Sequence, residues 1–562
     1  MLLYKKIIGF ALPIVVLVAG CTKLNEKLNS SLTNAQTSTA LGAAGTGLLL
    51  QAAYADIAGP FSGQDQVFSL EENTTDESLV PTRGGDWDDN GVWRVLHAHT
   101  WNADHGQILT VFNNLNKLNF DATNVLGFNP TKEQAAEARV LRALSLYYIL
   151  DLYGQYPFRN PGDNLLNAPD VKSGADAINF IISELTAAIP DLNPANGNTL
   201  VNVDAANTLL MHCYLQRGAF VTPATPTFAD ADMQQVITLG EAIINSHKYS
   251  YTPNYFDNFS VDNGTKSTEN IFSYPNHSGV SAAHAGTEDR WMMTLHYNSY
   301  TPSAPNAGWN GFSTISDFYN SFGATTATSA SNRVNGFFTG IGAKNNPDTA
   351  IDQRLGGRVM SNLASVQASG IRPGFLIGQQ YDKSGVAEKD RKGNPLAFDP
   401  TIATNMIETG TNLELTGIRV VKYPPDFTSA GSYYAGPAGN WLMLFRYPDV
   451  VLMVAEAKMR EASPDMAGAL ALVNDLRAAR GAAAFASLPL VNPNNVDDPN
   501  TLLAERGREL YWESFRRTDL IRFGVYLKPW GLKPTDDPKN LLFPIPSQAL
   551  AANPNLIQNP GY

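Results

Sequence analysis

Residues 136–154, AEARVLRALSLYYILDLYG, decide the fold. Their apolar side chains fall at Val140, Leu141, Leu144, Tyr147, Tyr148 and Leu152, the three- and four-residue spacing of one helix face. Gly154 and then Pro157 end the run, a usual stop for a helix. Segments of the same character lie on both sides. The spacing predicts helices over residues 40–58, 107–118, 175–189, 205–217 and 233–246, and again over 447–461, 466–480 and 502–523. Short turns join several of them. The expected fold class is therefore mainly α, a scaffold of tetratricopeptide-like helical pairs that stack to bury a shared core. No clean period of about 34 residues accompanies them, so this expectation rests on helix size and pairing.

Residues from about 250 to 435 have another character. They are rich in Gly, Asn, Ser, Thr, Pro and aromatic residues, with little helical periodicity. So long an irregular stretch is functional or disordered, and its aromatic content argues against disorder. The expected organisation is one domain over 39–562. It divides into an N-terminal helical scaffold (39–250), a loop-rich ligand-binding region with short strands (251–435) and a C-terminal helical part (436–562).

The start of the chain reads as a leader. Lys5 and Lys6 precede an apolar run, Ile7 to Ala19, too short for a permanent membrane span. It ends in Leu17-Val18-Ala19-Gly20-Cys21. Small residues directly before a cysteine suit lipoprotein processing, so residues 1–20 are expected to be removed and Cys21 lipidated. Several acyl chains hold far better than one. Residues 21–38 are polar and read as the tether. Cys213 lies in an apolar helical stretch and is expected to be a buried small hydrophobe. The formal net charge is -12 and no basic cluster stands out, so nucleic acid is not an expected partner.

The most unusual local sequence is residues 71–105, EENTTDESLVPTRGGDWDDNGVWRVLHAHTWNADH. A flat indole covers the C–H face of a sugar ring, while acids, amides and guanidinium groups hydrogen-bond its hydroxyl rim. Trp87, beside Asp86 and Asp88 and near Arg83, has that chemistry, whereas Trp93 and Trp101 read as core. A second candidate patch runs from Arg290-Trp291 through Tyr297 and Tyr300 to Trp309. Trp291 or Tyr297 is expected to face Trp87 across a groove, with core packing the alternative for each. Asp86-x-Asp88-x-Asn90-Gly91 matches the first half of a calcium loop, but His97 stands where the bidentate Glu belongs. His97, His99, Asp104 and His105 lack a convincing zinc shell. Neither metal nor cofactor is expected, and no phosphate loop or nucleophile elbow occurs.

Three stretches resemble the SusD/RagB family. The first is Glu137-x-Arg139-x-x-Arg142-Ala143 running into Leu152-Tyr153-Gly154-Gln155-Tyr156-Pro157. The second is Arg446-Tyr447-Pro448-Asp449-Val450-x-Leu452-Met453-x-Ala455-Glu456-Ala457 with Val473-Asn474-x-Leu476-Arg477-x-x-Arg480-Gly481. The third is Glu505-Arg506-x-x-Glu509-Leu510-x-x-Glu513-x-x-Arg516-x-x-Asp519-Leu520-x-Arg522-Phe523. The ending Pro544-Ile545-Pro546 and Asn553-Pro554-Asn555-Leu556 to Tyr562 also fits. Pro448 departs from the small residue usual there, a change the first helical turn tolerates. The resemblance implies a SusD-like, largely helical fold and a lipid-anchored glycan-binding protein on the outer face of an outer membrane. It also implies a partner, a TonB-dependent transporter of the SusC type, to which the glycan is delivered. Some members serve peptide import, which leaves a peptide ligand as an alternative. A surface glycoside hydrolase is the other. Its two carboxyls must flank an open cleft, whereas the acids of these motifs have basic neighbours and read as a structural charge network. No catalytic residue is expected.

Overall fold

The computed structural model describes residues 34–277, 287–298, 308–322, 352–356, 373–380, 386–426, 438–534 and 536–562. The leader, Cys21 and Tyr300 lie outside them.

The helix Lys132–Tyr153 is the centre of the scaffold. Thr131 and Gln134 form a reciprocal capping box at its start, satisfying two backbone N–H groups. At its end Gly154 takes a left-handed φ of 69°, and a Cβ there would stand 2.7 Å from Leu542 Cδ1. Glycine meets both demands. From Ala136 onward nearly every residue of this helix is buried, because helices cover it on several sides. Gly106–Gly127, Gly174–Ala188 and Val203–Val221 all pack on it, and Asn34–Ala55 leans on its edge. The row continues with Asp230–Asn245, which packs against Val203–Val221.

The next helix in that row comes from the other end of the chain. Tyr447–Arg460 packs on Asp230–Asn245, and Met466–Ala479 packs on Tyr447–Arg460. The intervening loop-rich stretch is thus an excursion from a continuous helical row. Its two ends are clasped where Leu442–Arg446 pairs antiparallel with Asn270–Tyr274. Among the described residues the excursion holds short strands paired two by two. A parallel pair, Thr82–Arg83 with Ile407–Glu408, ties the early Trp-rich segment to it.

One helix expectation needs correction. Residues 502–523 form two helices, Leu502–Leu510 and Arg516–Arg522. Between them Trp512 and Ser514 take positive φ, 59° and 68°. Two buried carboxyl groups from far upstream hold the break. Glu77 accepts from the Trp512 N–H at 3.2 Å, and Glu72 from the Ser514 N–H at 2.5 Å. A periodic pattern carries no sign of caps supplied by a distant segment. The chain end is fastened in the same way. Arg516 pairs with Asp76, Arg517 with Asp151 at 2.9 Å, and Gln155 accepts from the Ile557 N–H. Among the described residues no helix is long and apolar enough to cross a membrane. Cys213 is buried and its thiol is a free one.

Candidate functional site

After Thr82–Arg83 the chain turns sharply, with left-handed backbone at Gly84, Trp87, Asp89 and Asn90. A tryptophan in that region is strained, so its surroundings must hold it. The Trp87 indole N–H donates to the Trp309 carbonyl at 2.8 Å. Its ring meets Trp93 and Phe312 edge to face, both with centroids 5.4 Å away. A Cβ on Gly311 would stand 2.3 Å from the same ring, so glycine lets the indole lie against the backbone. Trp87 is half-buried and anchored to the core.

Asp86, next to it, is exposed and makes the contact that organises the surface. The Tyr297 hydroxyl donates to its carboxylate. Arg391 stacks its guanidinium 3.7 Å above the Tyr297 ring and approaches Asp86 at 4.0 Å. Burial, and then the Asp86 carboxylate, push the Tyr297 phenol upward, so it stays a donor at neutral pH. Behind them Glu414 bonds Arg391 Nε at 2.8 Å and His296 at 2.9 Å. Burial holds His296 down to about 4 despite Glu414, so its ring is neutral. Arg391 and Glu414 were not singled out from sequence. The available signal was the turn Asp390-Arg391-Lys392-Gly393-Asn394. Asp390 accepts from two N–H groups of that turn and Gly393 has a φ of 88°, which props Arg391 outward.

The other expected residues separate. Arg83 is buried, donating to Thr416 O at 2.8 Å and to Leu413 O and Ser313 Oγ. It positions the loop and presents nothing at the surface, which corrects its assignment to ligand. Asp88 bonds Arg94 at 3.3 Å and faces away from the Asp86 pairing. Trp291 is only 2% exposed. It sits in a small separate core with Leu295, Leu376, Leu396 and Phe398, so the expectation that it faces Trp87 across a groove is corrected. The aromatic beside Trp87 is Trp309, half-buried and touching both cores. Trp309 also lines a cavity of about 440 Å³ with Gln64, Asp65 and Asp289. Arg290, expected beside Trp291, is buried over the Phe68 ring and donates to Phe61 O.

The acids and histidines of the calcium and zinc motifs take other partners. Asp86 and Asp88 point to different cationic partners, Arg391 and Arg94. His97 is buried between the Ser78 and Gly531 carbonyls, His99 between Asp536 and Thr74 O, and His105 bonds Val92 O. Among the described residues no group of three or more His, Cys, Asp or Glu is placed to hold a metal ion.

The carboxylates of the C-terminal motifs lie inside the scaffold. Glu509 is fully buried and receives Arg446, Arg480 and Arg354 at 2.5, 2.7 and 3.1 Å. Burial alone would raise its pKa, but those arginines outweigh burial and hold it at about 2. Burial pushes Glu77 up to about 8, yet it is sealed under Trp512. A glycosidase acid must instead reach a glycosidic oxygen in a cleft.

The SusD family model matches residues 245–562. The starch-binding protein SusD of Bacteroides thetaiotaomicron is 25% identical over 523 residues, covering 88% of this chain and 85% of that protein. A SusD superfamily protein from Parabacteroides distasonis superimposes with a TM-score of 0.65 at 17% identity, covering 95% of this chain and 100% of that one. Surface glycan-binding protein A from Bacteroides thetaiotaomicron, in complex with laminarihexaose, gives 0.61 at 15% identity, covering 92% and 98%. At these identities the solved structures show a shared fold.

Proposed function

The chain belongs to the SusD family, and on that premise we propose that it binds a glycan at the cell surface, without cleaving it, and passes it to a TonB-dependent transporter. The observation that carries the binding reading is the half-exposed Asp86–Tyr297–Arg391 group, with the half-buried Trp87 next to Asp86 in the chain. It offers a carboxylate to accept from hydroxyls, a guanidinium fork to donate, and aromatic surface for a sugar face. The relatives named for starch and laminarihexaose support the ligand class. Lipidation of Cys21, an outer-membrane location and the SusC-type partner are part of the same proposal.

Tyr297→Ala removes the ring, its hydrogen bond to Asp86 and the surface under the Arg391 guanidinium, which Glu414 still holds. Glycan affinity should fall about thirtyfold, equivalent to about 2 kcal/mol, while the melting temperature stays close to wild type because all three groups lie at the surface. Asp86→Ala should change preference among sugars more than total affinity, since solvated hydroxyls add little net energy per bond. Calorimetry on glycans retained in affinity gels checks both, with a reducing-sugar assay expected to show no release. Unchanged affinity in Tyr297→Ala would remove this group from the site. Trp87→Ala is a poorer probe, because losing a ring packed on Trp93 and Phe312 also costs stability.

Anchoring has its own test. Cys21→Ser should move the protein out of the membrane fraction in cells lacking the transporter. Continued sedimentation with membranes there would overturn the anchor.

A further inference from the structure

A second cavity, of about 500 Å³, lies on the helix Gly106–Gly127 and shares no lining residue with the Asp86 group. One face of that helix, with three- and four-residue spacing, carries Asn113, Asn116, Phe120 and Asn124 into it. The facing wall is the loop after Gln155–Phe158, including Arg159, Asn160, Asp163 and Leu165, and the floor is Gln548 to Leu556. The wall is fixed in place, since Asn555 donates to Pro169 O at 3.0 Å.

The lining has two notable properties. Its charged residues are one of each sign, Arg159 and Asp163, although the protein as a whole is acidic. The Arg159 guanidinium donates to Asn164 O and Asn167 O of its own loop at 3.2 and 2.5 Å. Asp163 accepts from the Asn160 N–H at 2.7 Å. What remains is side-chain amides among apolar surface, with Phe120 39% exposed and Leu165 59%. The second property is a donor left open. Asn553 is only 5% exposed. Its Oδ1 accepts from the Asn555 N–H at 3.1 Å, while its buried Nδ2 has no partner. A buried donor without an acceptor costs free energy, and an incoming acceptor removes that cost.

We propose that this groove is a second carbohydrate site, taking a short run of uncharged sugar residues. Amides both donate and accept, as hydroxyls do, and phenyl and leucyl surface suits the C–H faces of sugar rings. The single cation of the lining, Arg159, is matched by the single carboxylate, Asp163, so the groove as a whole does not select for an anionic ligand. The inference rests on the reading that the chain binds glycans, but not on where the first site lies.

The test titrates a panel of neutral hexasaccharides (α-1,4- and β-1,3-glucans, β-1,4-xylan and β-1,4-mannan) into the full mature chain. At least one should bind with two molecules per chain. Phe120→Ala and Asn113→Ala change exposed residues, so the fold should survive, and each should weaken one of the two sites at least tenfold while the other remains. Tyr297→Ala should do the converse. Stoichiometry of one, abolished by Tyr297→Ala and untouched by the groove variants, overturns the second site and leaves the proposed function standing. One site lost only through the groove variants keeps this inference and removes the Asp86 group. Groove variants that keep all sugar binding but fail to co-purify the transporter would make the groove a protein-docking face and overturn the inference. No binding by any member of the panel overturns both.

Discussion

Glu509→Ala should destabilise the protein by about 3–5 kcal/mol, the cost of stranding buried partners of a broken ion pair. Three guanidinium groups converge on this carboxylate from separate parts of the chain. Arg354 comes from the loop-rich stretch, Arg446 from the clasping strand and Arg480 from the end of the helix Met466–Ala479. Glu269 shares Arg446 and Arg480, and Glu513 shares Arg446. Removing Glu509 leaves these charges packed together without their common counter-ion, in a place water does not reach. Net stabilities of folded domains are about 5–15 kcal/mol, so a loss of this size is a large fraction of the whole. Urea melts of wild type, Glu509→Ala and Glu509→Gln measure it, with Gln intermediate because it keeps the volume and part of the hydrogen bonding. The folded fraction of each variant should bind glycan as wild type does. Full stability with lost binding would place Glu509 in the site and refute the structural role.

Acid should unfold the protein steeply below about pH 4.3. Besides Glu509, burial raises but neighbouring cations more strongly lower the carboxyls of Glu456 and Asp449, both held at about 2, and of Glu505, held low. An unfolded Glu titrates near 4.3. The folded state is therefore stabilised above that pH, and the stability is lost as the pH falls through 4.3 toward 2, where the unfolded chain binds more protons. Two further sets oppose each other at higher pH. Burial holds His99 and His296 down to about 4, so their contribution is lost between about 6.5 and 4. Burial raises Glu77 and Asp497 to about 8, so theirs is present in acid and lost as pH rises from about 4 through 8. The acid limb below 4.3 is unopposed. Melting temperature against pH should show a broad maximum near pH 5–7 and a steep fall toward pH 2, flattened in Glu509→Gln. Equal melting temperatures at pH 3 and pH 6 would contradict the assignment of these groups.

The helical part of the fold is legible in the sequence because its signals are local. Val140 to Leu152 announce one helix face, and Gly154 its end. The spacing predicts Tyr447–Arg460 and Met466–Ala479 to within a residue. Residues 502–523 misled because the break at Trp512 and Ser514 is made by Glu77 and Glu72, hundreds of residues upstream. The helix starting at Gly106 runs to Gly127, well past residue 118, since its second half, which includes the weak helix formers Asn119, Asp121, Thr123 and Asn124, packs on Lys132–Tyr153 and Asn34–Ala55.

The candidate site divides in the same way. The chemistry of Asp86 and Tyr297 is readable from residue type, and the fold joins them. The fates of Arg83 and Trp291 are not readable, because their burial depends on strands and turns between residues 374 and 421. Arg391 becomes visible only when its turn is folded against Tyr297.

The interleaving of the two chain ends bears on biogenesis. The helical row cannot be completed while Tyr447–Arg460 is still unmade. The ion pairs of Asp76 and Asp151 cannot form until Arg516 and Arg517 are made. Contacts so distant in sequence delay folding. A nascent chain of this design therefore cannot reach its final fold until its C-terminal helices are made. For the export proposed above, this topology delays the final closure of the fold until the C-terminal helices have followed the rest of the chain.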